Sequence, residues 1–165
     1  MSADDFQNPL TAKIVAFLRE IGLELIACPI DEQAKTLMPG VSVRKGVIVV
    51  DESKLKYPGD LLHEAGHLAI VPSGRRNRLG WNVGQKAHEE MMAIAWSYAA
   101  LVHLGLEPSV VFHPEGYKGH SQSLIENFTA GRYLAVPTLQ WIGLTYEKEN
   151  AGIAPYPHMI KWLAD

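Results

Sequence analysis

His63-Glu64-Ala65-Gly66-His67 carries the side chains best suited to chemistry in this chain. Residues four apart on an α-helix stand one turn above each other, so His63 and His67 present two imidazoles on one face. That spacing suits a shared zinc ion. Glu64 lies one step round the helix, where its carboxylate can take a proton from a water activated by the metal. The five residues sit within the apolar run Leu61-Leu62 to Leu68-Ala69-Ile70. Two unpartnered histidines in a buried helix are costly, and an ion relieves that cost. The plainer alternative is a pair of core histidines satisfied by backbone or carboxylate.

A catalytic zinc normally keeps three protein ligands and one open position. A third histidine six residues beyond His67 is absent, since Ser73 stands there and Ile70 occupies the place where glycine accompanies that pattern. Glu89 and Glu90 lie some twenty residues downstream, at the start of a helix expected over Ala87–Leu104 and ended by Gly105. That helix is apolar almost all round, which marks it as buried. Glu90 is favoured as the third ligand. Ala93, three residues on, lets the two helices approach closely, and Trp96 can pack beneath them. Glu89 points about 100° away and suits the helix dipole instead. His88, His113 and His120 are weaker substitutes.

His63-Glu64-x-x-His67 followed by Glu90-x-x-Ala93-x-x-Trp96 resembles the gluzincin metallopeptidases, and most nearly the small ImmA/IrrE-like proteins. Gly46-Val47-Ile48-Val49-Val50-Asp51 is similar to the strand those proteins place before the motif helix. The resemblance covers residues 41–104. It implies an α+β, mostly helical, zincin-like (minimal gluzincin) domain with a small N-terminal sheet beside the active-site helix. It implies further that His63, His67 and Glu90 bind Zn2+, that Glu64 acts as general base, and that the substrate is a peptide or protein. The chain departs from the family in having Trp96-Ser97 where Phe-Ala is usual, and its C-terminal third is unmatched.

The elements that must position these groups can be read along the chain. Asn8-Pro9 predicts a capped helix with Leu10, Ile14, Phe17, Leu18 and Ile21 on one face and Gly22 as its stop. Residues 23–28 suit a strand and 29–40 a loop. Val41–Arg44 and Val47–Val50 predict a hairpin turning at Lys45-Gly46, with an edge that a peptide can extend. Residues 51–59 lead into the motif helix, Pro72 ends it, and 73–85 is polar. Arg75, Arg76 and Arg78 form a short basic cluster, expected to be solvated. Ser123-Leu124-Ile125-Glu126 predicts a capping box before a short helix ending near Gly131. Residues 137–142 and 158–163 are expected to form two further short helices. The loop around His113, Tyr117 and His120 offers candidate donors for an oxyanion.

At 165 residues, 47% apolar and 20% charged, the chain is expected to form one domain, 1–165. A net charge of −3 gives no pull toward nucleic acid or anionic membrane. One cysteine, Cys28, excludes an internal disulfide or a cysteine zinc site. No apolar run spans a bilayer and the N-terminus lacks a secretion signal, so the expected location is cytoplasmic. Composition leaves oligomeric state open. A non-catalytic zinc-binding or regulatory protein-interaction module on the same frame is the alternative function.

Overall fold

The computed structural model describes residues 5–84 and 86–165. Residues 1–4, part of the N-terminus read for a secretion signal, and Gln85, the end of the polar stretch, lie outside the described residues. The chain is α+β, with six α-helices and one three-stranded sheet among the described residues. None of those helices is long and apolar enough to cross a membrane.

Helix α1 (Pro9–Glu20) begins as its cap dictates, with the Asn8 side chain accepting from the Leu10 and Thr11 amides. Its inner face buries Ile14, Val15, Phe17 and Leu18. Strands β1 (Leu25–Ala27), β2 (Val41–Arg44) and β3 (Val47–Val50) form a sheet in the order β1-β3-β2. The central strand β3 runs parallel to β1 and antiparallel to β2, with Leu25 opposite Ile48 and Val41 opposite Val50. Lys45 and Gly46 both have positive φ, as a two-residue hairpin turn requires. Gly46 also has no room for a side chain, since a Cβ there would stand 2.6 Å from the Arg76 carbonyl.

Helix α2 (Asp60–Ala69) is buried at every residue, and α4 (Ala87–Leu104) buries Met92 through Leu101. The two pack directly on each other at Gly66, where an added Cβ would lie 2.9 Å from the Ala93 carbonyl oxygen and 3.1 Å from its Cα. The small residue expected to permit close approach is Ala93, and it meets glycine rather than a side chain. Trp96, fully buried, donates its indole N–H to the Trp162 carbonyl at 2.9 Å.

Several expectations change. The polar stretch contains a one-turn helix, α3 (Ser73–Arg76). The cluster there is not simply solvated: Arg76 donates to the carbonyls of Leu68, Val71 and Ala164. Helix α5 (Ser121–Thr129) starts before the proposed capping box, and its cap position is His120, with no side-chain cap. Ser123 therefore lies inside the first turn. Helix α6 (Val136–Trp141) forms nearly as expected. Residues 158–163 are not helical; Met159 forms an isolated bridge with Thr145, and the following backbone bonds to other elements.

Candidate metal centre

Helix α2 holds the two histidines because its whole surface is enclosed. His63 is 8% and His67 4% exposed, with their rings 4.9 Å apart and nearly perpendicular. Their Nε2 atoms stand 3.3 Å from each other. Glu90, in the first turn of α4, straddles them, with Oε1 3.1 Å from Nε2 of His63 and Oε2 2.8 Å from Nε2 of His67. The Gly66–Ala93 contact brings this turn within reach. Among the described residues, His63, His67 and Glu90 are the one cluster of three or more such side chains that can hold a metal ion.

The donor set fits zinc in type and spacing. Two imidazole nitrogens and one carboxylate are ligands of catalytic zinc. Ligand pairs of a tetrahedral ion with bonds of about 2.0–2.1 Å stand about 3.3 Å apart. The three separations here are 3.3, 3.1 and 2.8 Å. The loop between α3 and α4 adds close cover: a Cβ on Gly84 would lie 2.8 Å from Cε1 and Nε2 of His67. Gly84 has φ +85°, so both its conformation and its approach call for glycine.

Glu89 is accounted for otherwise. Its carboxylate pairs with the Arg75 guanidinium through both oxygens, which leaves Glu90 to the metal group. His88 is exposed and outside the cluster. Burial works against ionising Glu90, yet its hydrogen bonds to His63 and His67 hold its carboxyl well below the usual carboxylate range.

Glu64 is 5% exposed and lines the same cavity as the three cluster residues. Burial pushes its carboxyl up to about 7; the His67 ring opposes this, and the charges of Glu90 and Asp60 add to it. The cavity has a volume of about 530 Å³. Its walls include the apolar Leu37, Met38, Val83, Ile94 and Leu124. Neither β2 nor β3 lines it; the sheet's contribution is the segment just before β2, where Met38 bridges to Val41.

The candidate oxyanion donors separate. His113 is buried and bonds through Nε2 to Asp60 Oδ1 at 2.7 Å, stacked 3.6 Å from the Tyr57 ring. It does not line the cavity. Tyr117 lines it, but its hydroxyl lies 3.2 Å from Nδ1 of His63, on the side of the ring away from the cluster. His120 and Lys118 also line the cavity. Asp60 is a partner that the motif does not reveal. It precedes His63 by three residues, and an acid in a first helical turn has an ordinary explanation in the helix dipole.

Comparison with known proteins adds no relative: no family model matches the chain, and neither a curated protein nor a solved structure matches it.

Proposed function

We propose that this chain is a zinc metallopeptidase of the gluzincin type on a zincin-like fold, hydrolysing peptide bonds in a peptide or protein. The observation that carries the proposal is the convergence of His63, His67 and Glu90, from two touching helices, beside the buried carboxyl of Glu64. Two neutral imidazoles and one carboxylate leave a divalent ion with net positive charge. Bound there, zinc lowers the pKa of a water and polarises a carbonyl.

Glu64 accepts a proton as water attacks the peptide carbonyl, then passes it to the departing amine. Burial raises the Glu64 carboxyl in the metal-free chain, and a divalent ion beside it would draw it back toward the ionised form that accepts a proton. Glu90 and the two histidines would hold the ion, and the apolar walls of the open cavity offer surface for substrate side chains. His120 and Lys118, which line the same cavity, are the candidate donors for the developing oxyanion.

The test uses protein purified without a histidine tag. About one zinc per chain is expected, together with cleavage within a diverse peptide library. Glu64→Gln should keep the zinc and lose cleavage by at least about 100-fold. Undiminished cleavage by that variant refutes the mechanism. Full zinc occupancy without cleavage of any peptide favours the non-catalytic module instead.

A further inference from the structure

We propose that Tyr117 is a positioning residue for the metal centre, its hydroxyl accepting the Nδ1–H of His63 and fixing that ring with Nε2 toward His67 and Glu90. This rests on the zinc assignment above and adds to it a residue outside the His63-Glu64-x-x-His67 and Glu90 pattern. A neutral imidazole carries one N–H, so a metal on Nε2 requires the hydrogen on Nδ1. His63 is 8% exposed, so that N–H needs a protein acceptor. The Tyr117 oxygen is 3.2 Å away, and its ring stands edge-on to the imidazole at 5.4 Å and 87°.

The loop carrying Tyr117 is held at a conformational cost. Tyr117 and Lys118 have φ of +60° and +51°, a left-handed pair with no glycine in it. Such strain persists where surrounding contacts over-determine the backbone, and it gathers at functional sites. The contacts are present. Phe112, fully buried, packs edge-on against the Tyr117 ring at 5.3 Å. Four residues before Tyr117, His113 bonds to Asp60 and stacks on Tyr57. Gly116 lets the chain pass over that ring, since a Cβ there would lie 3.2 Å from His113 Cε1.

Asp60 and His63 are three residues apart on α2, hence neighbours on one face. The loop therefore docks on the ligand helix at two points, with His113 on Asp60 and Tyr117 on His63. The first bond, between buried groups, holds the loop in place. The second aims the ligand. Partners of this kind change metal affinity by about 10–100-fold when removed.

The test substitutes Tyr117→Phe, which keeps the ring contacts and removes only the oxygen. Zinc affinity is measured on tag-free protein by competition with a chromophoric chelator, beside wild type and Glu90→Gln. The expected result is about 10–100-fold weaker zinc binding, with thermal stability in excess chelator unchanged. A merely structural tyrosine would instead lower that metal-free stability. In zinc-loaded, ¹⁵N-labelled wild type, His63 should show a downfield Nδ1–H protected from solvent exchange, and Tyr117→Phe should lose the protection. If zinc binding depends on Glu90 while Tyr117→Phe binds equally tightly, the Tyr117 role alone is overturned. If wild type and Glu90→Gln bind zinc equally weakly, the metal assignment fails and takes this role with it. The proton signal is read on wild type too, and its absence there overturns the proposal even if the variant misfolds.

Discussion

Gly66→Ala sets two effects of opposite sign against each other. Gly66 lies in the interior of α2, and alanine there favours the helix by about 1 kcal/mol. Against this, the new Cβ would sit 2.9 Å from the Ala93 oxygen, 3.1 Å from its Cα and 3.3 Å from its Cβ. Two of these three atoms are backbone, so no side-chain rotation relieves the contact. Overpacking of this kind costs about 1–3 kcal/mol, and rigid neighbours place it near the upper end. A net loss of about 2 kcal/mol follows, or about 4–8 °C in Tm for a chain of this length. Reaching ordinary contact moves α4 away by about 0.5 Å, which is the tolerance of a working ligand geometry. Zinc should therefore bind at least about tenfold more weakly, an effect worth about 1.4 kcal/mol. Urea denaturation in excess chelator measures the first effect, and chelator competition the second. Equal or greater stability with unchanged zinc affinity would show that the two helix backbones do not touch at Gly66.

Glu90→Gln and Glu89→Gln should behave oppositely. The first removes a charged ligand and should weaken zinc by at least about 100-fold, whereas the second breaks a partly exposed pair with Arg75 and should cost at most about 1 kcal/mol of stability with zinc retained; isothermal titration separates them. The buried Glu64 carboxyl gives metal-free protein a signature in pH. Its carboxyl is raised in the folded state, so the penalty is absent below the unfolded value of 4.5 and complete above about 7. Folding stability in chelator should therefore fall as pH rises between those values, by up to about 3 kcal/mol relative to Glu64→Gln. Parallel denaturation curves for the two proteins at acid and at mildly alkaline pH would contradict the burial of an ionisable group there.

Local signals carry much of what is legible in the chain. The Asn8 cap, the Lys45-Gly46 turn and the Gly105 stop each specify their own neighbourhood, and α1, the β2–β3 hairpin and α4 follow closely. The cluster of His63, His67 and Glu90 is legible for a related reason. The motif sets two histidines on one face by helix period, the apolar helix that follows brings two carboxylates, and Ala93 with Trp96 favours Glu90 of the two. What the chain conceals is the partner of each polar group across long separations. Ser123 and Glu126 look like a cap, yet the helix begins two residues earlier at the end of a strained turn. Residues 158–163 have a plausible helical composition, but their carbonyls and amides are engaged by Trp96 and Leu144. Arg76 looks like a solvated charge until three carbonyls converge on it. Tyr117 is visible as a candidate, but only the three-dimensional path of its loop decides which side of His63 it meets.

The stretch 156–164 acts as a clasp on the helices that carry the candidate ligands. The Tyr156 hydroxyl donates to the Ala95 carbonyl and the Trp162 carbonyl accepts from Trp96, so both hold α4. The Ala164 amide bonds to Ala69 at the foot of α2, and its carbonyl receives Arg76. A nascent chain cut short before this stretch would already hold every candidate ligand and the Gly66–Ala93 contact, but would lack these added fastenings on the two helices. If His63, His67 and Glu90 hold a metal, part of the frame around them is supplied by residues far beyond Glu90 in the chain.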